Sequence, residues 1–186
     1  LISRVLGYLR DILIAIFLGS GALADAFFVA FRIPNTFRRL FGEGSFNAAF
    51  IPSYSKELIK GKTNARNFAN NIFNLLTIFL LILIAIVELF MPLFVSIIAP
   101  GFKSNPEKFL LAVQLTKITF PFILFVSLAS FFSAILNSYN KFAAASAAPI
   151  ILNIFLILIL LFGKILDEKL VIYLSYGVSL AGFTQL

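Results

Sequence analysis

Eight charged side chains lie within the first 43 residues of an otherwise apolar chain. They are Arg4, Arg10, Arg32, Arg38 and Arg39 against Asp11, Asp25 and Glu43. The 186 residues contain no Cys and no His, which excludes disulfides, thiol nucleophiles, the usual zinc ligands and the usual general base. Guanidinium groups form forked hydrogen bonds to phosphate and carboxylate and are less strongly hydrated than ammonium groups. The excess of arginine therefore favours binding of an anion, and of a phosphate in particular.

The composition predicts an integral membrane protein. Hydrophobic residues make up 61% of the chain, charged residues only 12%, and 24 residues are Phe. Soluble domains contain about 25% charged residues. The mean hydropathy is +1.03. The net charge of +7 does not indicate a nucleic-acid partner, because much of it lies in loops beside apolar spans, where it sets topology.

The charged side chains cannot face lipid. Each Arg at the centre of a membrane helix costs about 2.5–3.5 kcal/mol on the insertion scale. Three arginines and one glutamate lie within RIPNTFRRLFGEGSF, residues 32–46, and its apolar side chains offset only part of their cost. The charges must face other helices or a water-filled cavity. An anion bound there points to a lipid-linked phosphate.

Helical spacing places the charges of the first helix on neighbouring faces. Arg4 and Asp11 are seven residues apart and share one face, while Ser3 and Arg10 form a parallel pair on the adjacent face. One alternative is that Asp11 only neutralises Arg4.

The second helix carries a longer charged stripe. Four of its residues lie on one face of an uninterrupted helix, namely Asp25, Arg32, Arg39 and Glu43. Pro34 predicts a kink or break, which weakens the assignment beyond it. Asp25 follows a Gly-rich turn, so an N-cap is the alternative to a functional role. Five positive charges against three negative ones still leave positive charge unpaired.

Two further polar residues lie within apolar segments. Glu88 is a lone acid inside the third apolar segment, which makes it a functional candidate, with pairing to Lys117 as the alternative. Asn153 follows Pro149 by one turn, and a buried Asn in a membrane helix usually bonds to another helix. A structural and a functional role for Asn153 both stay open.

Six apolar segments could position these residues. A membrane helix needs about 20 mainly apolar residues. The predicted spans are residues 1–19, 25–50, 72–98, 109–137, 147–163 and 170–186. Lysines and an arginine concentrate in the 53–71 connection, which predicts a cytoplasmic location for that side and for the start of the chain. Because both ends fall within apolar runs, we expect a longer parent protein.

Several stretches resemble one transporter family. They are SRVLGYLRD (3–11), ADAFFVAFRIPNTFRRLFGEGSFNAAFIP (24–52), APGF (99–102) and NSYNKF with AAPIILN (137–153). These are similar to the amino-terminal part of the MurJ/MviN lipid II flippases, in the multidrug/oligosaccharidyl-lipid/polysaccharide exporter superfamily. The resemblance implies an all-α integral membrane bundle of about fourteen transmembrane helices in two lobes. About six of them, most of the first lobe, would come from this chain.

The resemblance also implies roles for individual residues. Substrate-binding positions of the family match Arg4, Arg10, Asp11, Arg38 and Asn153. Asp25 and Glu43 match the family's Asp before Ala-Phe-Phe and its Glu-Gly, and our hypothesis is that these two gate the cavity by pairing or parting as its access changes. Weaker candidates are Ser3, Arg32, Arg39 and Glu88, of which Glu88 belongs to no motif of the family. The family points to Arg38 where the helical wheel points to Arg39, and we follow the family because Pro34 undermines the wheel.

The implied function is transport by alternating access. The family carries lipid II, an undecaprenyl-diphosphate-linked peptidoglycan precursor, to the outer leaflet of the bacterial inner membrane for cell-wall synthesis. Membrane lipids and the cell-wall synthesis machinery are the expected partners, and no cofactor or metal is expected. Three alternatives stay open: an exporter of another polyprenyl-linked oligosaccharide, a polyprenyl-phosphate transferase, and a non-transporting scaffold. A transferase is disfavoured because no clustered acids are present, and a scaffold would not need surplus arginine.

Overall fold

A computed structural model describes residues 2–43, 45–141, 143–163 and 169–186. Side chains are described for these residues except 37, 38, 40–43, 45 and 143–146. The described residues contain α-helices and one 3₁₀ turn and no strand, which confirms the all-α prediction. The helices are α1 (Ile2–Leu18), α2 (Ala22–Glu43), α3 (Ser45–Ile59), α4 (Lys62–Leu89), α5 (Met91–Ile98), α6 (Pro106–Thr119), α7 (Phe122–Ser138), α8 (Ala143–Leu161) and α9 (Leu170–Gln185), and the 3₁₀ turn is Pro100–Ser104.

The turn between α1 and α2 is made by Gly19, whose φ of +61° few other residues adopt easily. Helix α2 then begins at Ala22, three residues before the predicted start. The backbone amide of Asp25 donates to the carbonyl of Gly21 at 3.0 Å, so Asp25 lies inside the first turn. The N-cap interpretation of Asp25 is therefore wrong.

Helix α2 continues through Pro34 to Glu43, so of the predicted kink or break at Pro34 the break is wrong. The hydroxyl of Thr36 donates to the carbonyl of Arg32 at 2.8 Å within this stretch. The described residues of the stretch predicted as one span, 25–50, lie in α2 and α3, on either side of residue 44. The faces of α2 can therefore be followed past the proline, which the sequence alone did not justify.

Helical structure also extends through most of the predicted 53–71 connection. Helix α3 reaches Ile59, and α4 begins at Lys62 after a turn at Gly61, where φ is +128°. The connection is polar because the ends of these two helices lie beyond the apolar segments. The polar composition indicates that the side chains are exposed, but it does not indicate that the backbone forms a loop.

Prolines divide two of the longer predicted spans. Helix α4 ends at Leu89, and α5 starts at Met91 with Pro92 in its first turn. Helices α6 and α7 meet at Phe120 and Pro121. Two stretches remain long and apolar enough to cross a membrane by length and composition, Lys62–Leu89 and Pro106–Ser138.

Two hydrophobic clusters hold the helices together. The larger cluster joins all the helices except α3, and its fully buried residues include Phe27, Leu115 and Leu174. The smaller one joins α3, α4 and α7 around Phe50 and Phe131, whose rings meet edge to face at 5.2 Å. The larger cluster packs α2 against α6 and α1 against α8, whereas the smaller one fixes α3 against α4 and α7.

Apolar side chains cover the outside of the bundle. Along α4 these exposed residues are Leu75, Ile78, Phe79, Leu81, Ile82 and Ile86. Exposing these side chains to water would be unfavourable, since transferring each methylene out of water is worth about 0.8 kcal/mol. The exposed face of α4 is therefore suited to lipid.

Candidate functional site

Arg10 on α1 is the centre of a polar cluster between α1 and α8. Its guanidinium donates to Oδ1 of Asn153 at 2.8 Å and twice to Oδ1 of Asp11, at 3.0 and 2.7 Å. The side chain is 16% exposed, and its Cζ lies 5.4 Å from the ring centroid of Phe31. The cation is thus fixed by an amide, a carboxylate and an aromatic face.

Asn153 uses both ends of its amide. While its Oδ1 accepts from Arg10, its Nδ2 donates to the backbone carbonyl of Ser3 at 3.1 Å. Only 5% of Asn153 is exposed. Gly7 lies next to this contact, and a Cβ there would meet Asn153 Nδ2 at 3.7 Å, an ordinary van der Waals distance. The structure therefore brings Ser3, Arg10, Asp11 and Asn153 together, with Ser3 contributing its main chain.

Arg4 does not pair with Asp11, contrary to the alternative suggested by their spacing. Asp11 is bonded to Arg10, its neighbour in sequence, and Arg4 is exposed. Within the described part of the chain Arg4 has no hydrogen bond or ion pair. Its face of α1 also exposes Tyr8, so this face is polar where the opposite side is aliphatic.

A second polar stripe follows one face of α2. Asp25, Arg32, Thr36 and Arg39 are all exposed, at intervals of three to seven residues. The opposite face is buried, and Ala26, Phe27 and Ala30 on it are each 0% exposed. Because the exposed face carries charge, it is unsuited to lipid and requires water or further polar partners.

The structure adds one partner that the sequence did not suggest. Lys108 on α6 forms an ion pair with the carboxylate of Asp25. The lysine Nζ also lies 4.3 Å from the ring centroid of Phe102. A helical wheel ranks residues on one helix only, so it could not supply a partner 83 residues away. The available signal was a lysine in the first turn of a helix, where carboxylates are usual.

Three predicted site residues lie apart from these clusters or outside the described side chains. Arg38 and Glu43 belong to α2 by their backbone, but their side chains are outside the described part. Glu88 lies at the end of α4, where its Oε1 is buried and has no hydrogen-bond partner among the described residues. No ion pair joins Glu88 to Lys117 in the described part of the chain, so the alternative of pairing with Lys117 is not confirmed.

Two crevices lie away from the arginines. One, of about 510 Å³, is lined by Lys56 of α3, Phe68 of α4 and Lys60 of the turn between them, among others. The other, of about 280 Å³, lies between α4 and α7 beside Phe131. Among the described residues no group of three or more metal-ligating side chains occurs. The arrangement therefore supports electrostatic binding on the open faces of α1 and α2.

Comparison with known proteins identifies the family. The sequence model described as "Lipid II flippase MurJ" matches residues 14–186. The chain belongs to the MurJ family. It is 43% identical to the probable lipid II flippase MurJ of Rhizobium tropici and 40% identical to that of Rickettsia prowazekii, covering 99% of this chain in both cases.

The MurJ fold is shown by a solved structure as well. The chain superimposes on a lipid II flippase MurJ in the inward closed conformation with a TM-score of 0.80 and 29% identity, covering 98% of this chain and 38% of that one. The chain spans 36% of the length of the Rhizobium and Rickettsia MurJ relatives. MurJ relatives therefore contain nearly two thirds of their length beyond the matched part.

Proposed function

We propose that this chain takes part in moving lipid II from the inner to the outer leaflet of the bacterial cytoplasmic membrane, for cell-wall synthesis. The observation that carries the proposal is the guanidinium of Arg10, fixed by Asn153 and Asp11 in a chain that is 61% hydrophobic and that also exposes Arg4, Arg32 and Arg39 on α1 and α2. Family membership supports it, because the relatives are named lipid II flippases.

The arginines suit the diphosphate of a lipid-linked precursor. A diphosphate offers several oxygens to guanidinium forks, and each charge-assisted bond is about twice as strong as a neutral one. Arg10 is already oriented by Asn153 and Asp11. We assign Arg10, Arg4 and Arg38 to holding the diphosphate, with Asp11 limiting the net positive charge so that the anion can be released.

Transport also requires a change of access. A substrate is released only if its affinity differs between two states. We assign gating to Asp25 and Glu43, which lie near opposite ends of α2. We place the start of the chain in the cytoplasm, because positive charge concentrates in the 53–71 connection. An inside-negative potential then assists export of an anion by about 2.3 kcal/mol per charge per 100 mV.

The test uses a full-length chimaera. The 186 residues replace the matching part of the Rhizobium tropici flippase and, in parallel, of the Rickettsia prowazekii flippase. Each chimaera is expressed in cells depleted of their own flippase, and lipid II on the outer membrane face is measured. A chimaera that is present in the membrane but exports no lipid II contradicts the proposal.

Substitution of Arg38 tests the role of the guanidinium. We expect Arg38→Ala to abolish export at normal protein level and Arg38→Lys to restore little, because a lysine cannot form the fork. Normal export by both variants would show that Arg38 is structural. Export of a different polyprenyl-linked oligosaccharide, with no export of lipid II, would favour the related transporter instead.

A further inference from the structure

Lys108 is the better fixed member of its ion pair with Asp25. The lysine side chain is 19% exposed and packs against the ring of Phe102, with Nζ at 4.3 Å from the ring centroid. The side chain of Asp25 is 55% exposed. The ammonium group is thus held in place by the protein, whereas the carboxylate that covers it faces outward.

Two electrostatic effects act against a lysine at this position. Lys108 lies in the first turn of α6, and its amide donates to the capping side chain of Asn105 at 3.1 Å. A cation there is disfavoured by the helix dipole. The predicted topology also puts this end of α6 on the outer side, where lysines are under-represented. The cation is therefore placed against both preferences.

The position of Lys108 continues the cationic stripe of α2. Arg39 and Arg32 are seven residues apart on one face, and Asp25 is seven residues further. Seven residues correspond to about 10.5 Å along a helix, so the three lie at regular levels. At the level of Asp25, α2 carries a carboxylate, and the positive charge there comes from Lys108 on α6. The stripe therefore offers a positive group at each level.

We propose that Lys108 is an anion-binding residue for the diphosphate of the transported lipid at this end of α2, with Asp25 as its displaceable counter-ion. The assignment rests on the proposed function and extends it to a residue of α6. An exposed ion pair contributes little to stability, so an incoming anion with several charges can replace the carboxylate. Asp25 would then keep the site from holding the anion too tightly.

A purely structural role explains the pair less well. Helices α2 and α6 are already joined by buried packing, and the buried hydroxyl of Thr119 donates to the carbonyl of Ala30 at 2.9 Å. An exposed ion pair adds little to that contact. The two roles also predict opposite effects for one substitution, because removing Asp25 weakens a structural pair but exposes an anion site.

The experiment measures binding of inorganic pyrophosphate to the purified chimaera by calorimetry at low salt. We expect Lys108→Gln to weaken binding about tenfold and Lys108→Arg to restore most of it. Asp25→Asn should tighten binding at least threefold, and this gain should vanish in the double variant with Lys108→Gln. The matched control is Lys103→Gln, an exposed lysine of the same connection, which should leave binding unchanged.

The outcomes separate the possibilities. Unchanged binding in Lys108→Gln, or weaker binding in Asp25→Asn, would overturn the proposal. Undecaprenyl diphosphate should displace pyrophosphate from the chimaera, whereas phosphatidylglycerol vesicles should not. Equal displacement by both would overturn the assignment to the lipid-linked diphosphate.

Loss of lipid II export from the unsubstituted chimaera would refute the proposed function, while the binding series would still decide the role of Lys108. Thermal melting of each variant confirms that it is folded.

Discussion

Replacing Asn153 by Ala should release the guanidinium of Arg10 from its fixed position while leaving Arg10 itself unchanged. The substitution removes the bond from Arg10 at 2.8 Å and the bond to the Ser3 carbonyl at 3.1 Å. A hydrogen bond to a charged group contributes about 1.5–3 kcal/mol, and one between neutral groups about 0.5–1.5 kcal/mol. The contact between α1 and α8 should therefore weaken by about 2–4 kcal/mol.

The loss at Arg10 sets the expected effect on transport. Losing about 1.5 kcal/mol or more lowers the population of the held guanidinium roughly tenfold or more. Export of lipid II by the chimaera should fall by a similar factor, with the protein still present in the membrane. Ser130→Ala is the matched control, since its buried hydroxyl donates to the Val126 carbonyl of its own helix at 2.7 Å and bonds to no other helix among the described residues.

A double-mutant cycle distinguishes positioning from packing. If Asn153 acts through Arg10, Asn153→Ala should cause no further loss of export in an Arg10→Gln background. Fully additive losses would show that Asn153 contributes through packing alone. Normal export by the single Asn153 variant would refute the reasoning altogether.

Two further predictions concern stability. Gly182→Ala should lower the free energy of unfolding by about 1–3 kcal/mol, because a Cβ there would lie 2.6 Å from the buried ring of Phe122 on α7. The control is Gly101→Ala, where a Cβ meets nothing within 4 Å and stability should not change. Equal melting temperatures of the two variants would contradict this prediction. Burial raises the pKa of Tyr54, in the part of α3 beyond the predicted span, from 10.0 to about 12, with its hydrogen bond to Tyr139 adding to the rise. The neutral phenol is favoured by folding, so its contribution is complete below pH 10 and is lost as the pH rises towards 12. The melting temperature should thus fall more steeply over that range than in Tyr54→Phe, and parallel curves would count against the shift.

Much of the helical architecture could be predicted because hydropathy and turn residues are local signals. The Gly-rich turn after residue 18 and the apolar run from residue 170 mark the ends of α1 and α9 closely. The helical structure between residues 53 and 71 was missed, because polar composition reports exposure and not backbone hydrogen bonding. The uninterrupted α2 was missed because Pro34 removes one hydrogen bond, and the packing of α2 tolerates that loss.

The site was predictable in part for a related reason. The surplus of arginine and the adjacent Arg10 and Asp11 are visible in the sequence. The contact of Arg10 with Asn153 joins residues 143 apart, and a helical wheel contains no information about partners on other helices. The same applies to Lys108 and Asp25. Resemblance marked Asn153 as important, but only the packing of α1 against α8 explains its role.

The separation of 143 residues between Arg10 and Asn153 has a consequence for biogenesis. A chain made at about 5–20 residues per second takes roughly 7–30 s to synthesise that distance. During this interval α1 must be held in or near the membrane without α8, and its guanidinium needs another partner. Asp11 is present as soon as Arg10 is made, and in the folded chain it bonds to Arg10 at 2.7 Å. The neighbouring carboxylate can thus act as an insertion partner for the nascent helix, long before the amide on α8 exists.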